Sequence, residues 1–214
     1  LVEDDREISR RLMSRLASAG FVVEHAPDAE TALDWPDAAK FTTLVVDLGL
    51  PGMSGLDLIA KWRERGLTNP ILILSARGSW QDKVEGLNAG GDDLVVKPVR
   101  AEELIARLHA LSRRAMGHTG ARISAGGLTL DPAAKSVWRG DELLDLTQME
   151  YRLLRMFMLR AGHIIAQPDI LDHLYPMDSE RDLNTIEVHV GRLRRKIGKA
   201  AITTIRGLGY RFER

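Results

Sequence analysis

At 214 residues, with 44% hydrophobic and 28% charged residues, the chain has the composition of a soluble globular protein and the length of two ordinary domains. It has no cysteine, which excludes disulfides, thiolate metal sites and thiol nucleophiles, and no apolar run reaches the roughly 18 residues a membrane span needs. The net charge of zero conceals an asymmetry: residues 1–114 hold 15 Lys+Arg against 18 Asp+Glu, and residues 115–214 hold 15 against 12.

The chain opens inside a predicted strand, Leu1-Val2, with no Met before it, so a few residues of that strand are expected to precede Leu1; no secretory signal is visible. Further strand-like runs follow at Phe21-Val22-Val23, Leu44-Val45-Val46, Ile71-Leu72-Ile73-Leu74 and Leu94-Val95-Val96. Between them lie stretches of helical spacing, such as Leu56, Ile59, Ala60 and Trp62, or Leu104, Ile105, Leu108 and Leu111. Alternating strands and helices predict a doubly wound, five-stranded parallel sheet over residues 1–114. Ligands of such sheets bind beyond the carboxyl ends of the strands.

The pattern stops after Arg114, and residues 115–121 read as a short flexible linker. Residues 122–214 form a second domain. Short strands are predicted around Leu128-Thr129-Leu130 and Ser136-Val137-Trp138, with a turn at Gly140-Asp141. Thr147-Gln148-Met149-Glu150 has the form of a capping box and opens a helix to about Leu159, stopped by Gly162. A short helix over about 168–174, a loop over 175–182, a longer helix over 183–197 and a glycine-turned hairpin over 203–212 complete the chain.

Four of the first-half strands end in residues able to do chemistry. Glu3 and Asp4 follow the first, Asp47 the third, Ser75 the fourth and Lys97 the fifth. In a parallel sheet these converge at one edge. Three carboxylates repel one another unless a cation sits between them, and all-oxygen ligation suits Mg²⁺. A hydroxyl and a lysine beside them can hold phosphoryl oxygens. A lone aspartate after a strand is more often a cap or turn former, so the weight lies on the set.

That set resembles the receiver domain of two-component response regulators. Val2-Glu3-Asp4-Asp5, Asp47 through Gly55, Leu74-Ser75-Ala76-Arg77, and Gly91-Asp92-Asp93 running to Lys97-Pro98 occur in order and with family-like spacing. The resemblance implies that Asp47 accepts a phosphoryl group from a sensor histidine kinase. Asp4 and Asp47 would bind Mg²⁺ directly, Glu3 through water, and the Gly49 carbonyl would complete the protein ligands. Ser75 and Lys97 would contact the phosphoryl oxygens, Lys97–Pro98 would be cis, and Asp5 would cap the first helix. Similar receivers carry an aromatic where this chain has Leu94, and another after Lys-Pro where it has Val99. With Ser75, Leu94 marks the switch that couples phosphorylation to dimerisation, so that coupling is put in doubt. Homodimers of the family form through the fourth helix, fifth strand and fifth helix. There Lys83 with Glu103, Asp93 with Arg107, and Asp92 with Arg114 are the expected cross-subunit pairs.

In the second half, placing residues 184–199 on a helix brings Ile186, Val190, Leu193 and Ile197 within about 60° of one another. Asn184, Val188, Arg192, Arg195 and Lys199 lie opposite. Charge alone fits either a polyanion partner or a solvated, salt-bridged helix, but few acids share that face, and Arg and Asn suit base reading in the major groove. Leu146 through Leu154, Asn184 through Val190, Leu193 through Ile197, and Thr204 through Tyr210 resemble the winged-helix effector domain of the OmpR/PhoB family. The resemblance makes residues 183–197 the recognition helix, with Arg192 contacting a base, His189 and Arg194 contacting phosphates, and Arg206 reaching the minor groove from the wing. It implies double-stranded DNA with directly repeated half-sites as a partner, and RNA polymerase as a partner of the 175–182 loop.

The expected function is therefore that of a cytoplasmic transcription regulator, not an enzyme. One alternative is a phosphorylation-independent DNA-binding regulator whose receiver is a constitutive dimerisation module, motivated by Leu94. The other is a Mg²⁺-dependent phosphohydrolase, disfavoured because Gly49 stands where such enzymes place a second aspartate.

Overall fold

The computed structural model describes residues 1–35, 38–76, 78–176 and 184–214. The chain packs as two units: residues 1–19 with 23–115, and residues 20–22 with 116–214.

In the first unit, helix α1 (Arg6–Ser18) begins where the Asp5 carboxylate accepts the amides of Glu7 (2.8 Å) and Ile8 (2.9 Å). Its buried residues Ser9, Leu12 and Leu16 recur at helical spacing. There follow α2 (Ala29–Leu33), capped by Asp28, β1 (Leu44–Asp47), α3 (Gly55–Glu64), capped by Ser54, and β2 (Ile71–Ser75). The unit closes with α4 (Trp80–Asn88), β3 (Asp93–Val96) and α5 (Ala101–Ala115). Helix α1 packs against α5 and α2 against α3. Every residue of β1 and β2 is buried, as expected for strands covered on both faces.

Strands β1, β2 and β3 pair in that order, all parallel. Val2 forms parallel bridges to both Val46 and Ala26. The five chain segments thus lie in the order second, first, third, fourth, fifth, the doubly wound order with a switch point beside Val2. The first two segments are isolated bridges rather than the full strands expected. The second bridges at Ala26, not at Phe21-Val22-Val23.

In the second unit, β4 (Ile123–Ala125), β5 (Leu128–Asp131), β6 (Ser136–Arg139) and β7 (Glu142–Leu143) form an antiparallel sheet in chain order. Helix α6 (Gln148–Leu159) opens on a capping box in which Thr147 and Glu150 bond each other's backbone amides. Beyond it lie β8 (Ile164–Ile165), α7 (Gln167–Leu174), α8 (Asn184–Ile197), β9 (Ile202–Ile205) and β10 (Gly209–Phe212). The second sheet runs β8-β10-β9, with β9 and β10 as the hairpin. Gly209 has φ 136°, and a Cβ there would stand 2.1 Å from the Ile165 carbonyl oxygen, so only glycine lets β10 lie against β8. The stripe Ile186, Val190, Leu193 and Ile197 is buried in the core of this unit, with Phe157 and Phe212.

Candidate functional site

The ends of the first unit's strands bring the acidic set together. Glu3, Asp47 and Ser75 are buried and Asp4 is exposed. One ligand oxygen from each of Glu3, Asp4 and Asp47 lies within 4.8 Å of the others. Lys97 Nζ donates to Asp47 Oδ2 (2.8 Å) and Glu3 Oε1 (3.0 Å), and is 2.8 Å from Glu3 Oε2. Lys97 reaches this position from a cis Lys97–Pro98 bond, with its backbone amide bound to the Ser75 carbonyl.

Burial pushes the Glu3 carboxyl above its usual range, and neighbouring Asp47 adds to this; the hydrogen bond from Lys97 only partly offsets it. For Lys97, burial acts downward, but its bonds to Asp47 and Glu3 outweigh it and hold the ammonium above its usual value. Asp47 Oδ1 is buried without a hydrogen-bond partner among the described residues. Among the described residues one ammonium faces two buried carboxylates and the exposed Asp4, so negative charge is left uncompensated, and the donors are all hard oxygens. The set therefore fits a small dication.

Two glycines shape the pocket. A Cβ on Gly49 would lie 3.6 Å from Asp47 Oδ2, so the backbone two residues on passes close to the carboxylate. A Cβ on Gly55 would lie 2.1 Å from the Asp47 carbonyl oxygen. That contact requires glycine and lets α3 start against the end of β1. Leu94, the expected switch position, is half-buried and pairs with Ile73, while Val99 is buried.

The expected cross-subunit charges mostly have partners within the one chain. Arg107 grips both oxygens of Asp93 (3.0 and 2.9 Å) and Glu103 Oε1 (2.8 Å). Asp92 takes Arg63 (2.9 Å) rather than Arg114. Glu103 and Arg107 are one turn apart on α5, a spacing that favours the intrachain bond. Lys83 and Arg114 are exposed. The sequence reading overlooked Trp80, Val84 and Leu87, which are 70%, 46% and 50% exposed along one outward face of α4. The spacing of 80, 84 and 87 was the available signal, but an apolar helical stripe normally points to the core.

On α8, Arg192 and Arg195 are exposed, as is Val188 at 51%. Arg206 is exposed in the turn between β9 and β10. The side chain of Asn184, residues 177–182 of the loop expected to meet RNA polymerase, and Leu183 at the expected start of the recognition helix lie outside the described residues. Arg194, expected at a phosphate, has partners within the chain. Its guanidinium donates to the Ile202 carbonyl (2.9 and 2.7 Å) and to Thr204 Oγ1 (2.8 Å), and stands 5.8 Å from the centre of the Tyr210 ring. It ties α8 to the hairpin, where a phosphate contact was expected. His189 is half-buried, with Nε2 2.7 Å from Tyr175 Oη. Lys196 bonds Glu150 Oε2 (2.8 Å) and the Asp145 carbonyl (2.7 Å).

Comparison with known proteins matches both halves. The family described as response regulator receiver domain matches residues 1–109, and that described as transcriptional regulatory protein, C terminal, matches residues 140–212. The chain is similar to the two-component response regulator PhoP of Pseudomonas aeruginosa, at 50% identity over 216 residues, covering 99% of this chain and 96% of that protein. It is also similar to the transcriptional regulatory protein BasR of Escherichia coli, at 40% identity over 98% of this chain and 95% of the relative. Among solved structures, the receiver domain of the Francisella response regulator 1452 aligns with 53% of this chain and 94% of its own length, with 31% identity and a TM-score of 0.51.

Proposed function

Because this chain belongs to the two-component response regulators of the OmpR/PhoB type, we propose that Asp47 is its phosphoacceptor and that phosphorylation there governs DNA binding by α8 and the β9–β10 wing. The observation that carries the reading is the buried Asp47 Oδ1, without a hydrogen-bond partner among the described residues, beside an ammonium that already bridges Asp47 and Glu3. We assign the receiver to residues 1–114, the linker to 115–121 and the effector domain to 122–214.

Glu3, Asp4, Asp47 and the Gly49 carbonyl would hold Mg²⁺, which when bound would neutralise charge on the carboxylates and the incoming phosphoryl group. Asp47 is the nucleophile: its carboxylate oxygen forms the new bond to phosphorus as the bond to the sensor kinase's histidine breaks. Lys97 and Ser75 then bind phosphoryl oxygens. Lys97 must give up part of its present pairing to do so, which links Asp47 chemistry to Glu3.

The outward apolar face of α4 supports a homodimer through α4, β3 and α5, with Lys83, Asp92, Asp93, Glu103, Arg107 and Arg114 as its charged contact residues. Arg192, Arg195 and Val188 support major-groove reading and Arg206 a minor-groove contact, on DNA with directly repeated half-sites. RNA polymerase as a further partner and a cytoplasmic site of action complete the reading. A second reading, constitutive dimerisation without phosphorylation, is favoured by one observation: Leu94 has no ring to swing toward Ser75.

Intact-mass measurement after incubation with Mg²⁺ and acetyl phosphate tests the proposal. One added phosphoryl group is expected, abolished by Asp47→Asn and by removal of the metal. Size measurement and DNA selection on the same sample separate the two readings, because only the first requires phosphorylation to change either.

A further inference from the structure

We infer that Tyr175 is a positioning residue for DNA binding: its hydroxyl donates to His189 Nε2, fixes the imidazole as its Nδ1–H tautomer, and so makes Nδ1 a donor to a DNA phosphate oxygen. This rests on the DNA-binding reading above.

Tyr175 is the C-terminal cap of α7, half-buried against the core of the second unit, so its ring is held in place. Its Oη is 2.7 Å from His189 Nε2, with the two ring centres 6.2 Å apart. A phenol is a far better hydrogen-bond donor to an imidazole nitrogen than an imidazole N–H is to a phenol oxygen, and the short O···N distance fits O–H···N. The bond the first nitrogen makes sets the proton on the other. A free neutral histidine ring prefers the proton on Nε2; here that nitrogen is taken, and the proton moves to Nδ1.

Burial, and after it the charge of Arg192, favour the neutral ring. Burial and the Arg192 guanidinium, one turn along α8, hold the imidazole below its usual value of 6.5, with Glu150 of α6 acting the other way. Glu150 is itself held by Lys196 of α8. His189 therefore approaches DNA as an uncharged, directional donor beside exposed Arg192, and differs from the arginines in releasing no counterion.

The tautomer is read directly by long-range ¹H–¹⁵N NMR of the full chain without DNA. The Nδ1–H pattern is expected for the native protein, and a shift toward Nε2–H in Tyr175→Phe. On a duplex selected by the native chain, and on a scrambled duplex, Tyr175→Phe and His189→Leu should each weaken binding by the same three- to tenfold, roughly the worth of one neutral hydrogen bond. The salt slope should stay unchanged, since no charge is lost. His189→Asn places an amide N–H where Nδ1 stands and should keep most of the affinity, and adding Tyr175→Phe to it should change nothing. An Nε2–H tautomer in the native protein overturns the assignment. So does a Tyr175→Phe loss that persists in the His189→Asn background, which would make Tyr175 a packing residue. A native chain that selects no DNA sinks the function reading as well as this one, whereas a native chain that selects DNA with the wrong tautomer sinks this one alone.

Discussion

Lys97 Nζ stands 2.8 Å from Asp47 Oδ2 and 2.8 Å from Glu3 Oε2, so one ammonium bridges two carboxylates that are almost wholly buried. Removing one partner of a buried ion pair leaves its counterpart uncompensated, which costs about 3–5 kcal/mol. Lys97→Ala should lower stability by about that much in metal-free buffer, and Mg²⁺ should restore more stability to this variant than to the native chain. Thermal melts with and without Mg²⁺ check both, and Asp4→Asn should blunt the Mg²⁺ response in either background. Equal metal responses in the native chain and Lys97→Ala would mean that the ammonium does not share the cation's role.

Gly55→Ala tests how closely α3 meets the end of β1. The added methyl would sit 2.1 Å from the Asp47 carbonyl oxygen, so backbone must move, and the cost should be about 3 kcal/mol or more. The same shift drags the Asp47 side chain off its position against Lys97, so phosphoryl uptake should fall more steeply than stability. Gly191→Ala, where the backbone is not left-handed and a Cβ meets nothing, is the control for a mere loss of glycine flexibility.

The acid response of the second unit should centre on Glu150. Burial acts to raise its carboxyl, but the bonds to Lys196 and to Thr147 outweigh that and hold it below the usual 4.5. A lowered folded-state value means that the stabilisation is fully present above the unfolded value and is lost as pH falls through the folded one. Glu150→Gln should therefore cost about 2 kcal/mol at pH 7, the worth of a charge-assisted bond, and the difference from the native chain should vanish as pH drops below the carboxylate range. Denaturant melts of both proteins across that range would show a constant gap if the Glu150 charge contributes nothing.

Local physics was readable before the structure. The Asp5 cap, the Thr147–Glu150 capping box, the stripe from Ile186 to Ile197 and the Gly-turned hairpin each depend on residues a few positions apart, and each is present. The acidic set was readable because parallel strands bring their carboxyl ends together whatever the loops do. Phe21-Val22-Val23 misled because such a run has strand propensity, yet the bridge to the first segment forms at Ala26. Arg194, Arg107 and Tyr175 were opaque for a different reason. Their roles depend on which way a long side chain turns, and a partner eight or more residues away decides it. The exposed stripe on α4 was hidden by a rule that holds for most helices, that apolar faces point inward.

That outward stripe carries its own test. Val84 and Leu87 are half-exposed on α4, and contiguous exposed apolar side chains mark contact surfaces. Val84→Asp with Leu87→Asp should leave the fold and the phosphorylation of Asp47 intact while weakening self-association, by roughly tenfold for each 1.4 kcal/mol of burial lost. Sedimentation velocity of the phosphorylated chain is the measurement, and unchanged dimerisation would move the interface elsewhere. Arg107→Glu is a less clean probe, because it breaks the intrachain grip on Asp93 as well.

The arginines of the second unit should separate into three kinds of behaviour. Arg192 is exposed on the side of α8 opposite the buried stripe, so Arg192→Ala should cost about 1–3 kcal/mol on the preferred site and relax preference at one base pair per half-site, as the loss of a bidentate guanine contact does. Arg206 stands exposed in the wing, and a narrow minor groove attracts arginine electrostatically, so Arg206→Ala should weaken binding with a bias toward sites flanked by A·T-rich sequence. Arg194 is bound to Ile202 and Thr204, so Arg194→Ala should show first as lost stability of the second unit, with a salt slope close to native. Selection from a randomised library at two salt concentrations, with melts of the same variants, distinguishes the three. If Arg192→Ala lost affinity equally for every sequence and lowered the salt slope by about one unit, Arg192 would be a phosphate clamp. If Arg194→Ala did the same at native stability, its guanidinium would have to leave the hairpin and turn to the DNA on binding.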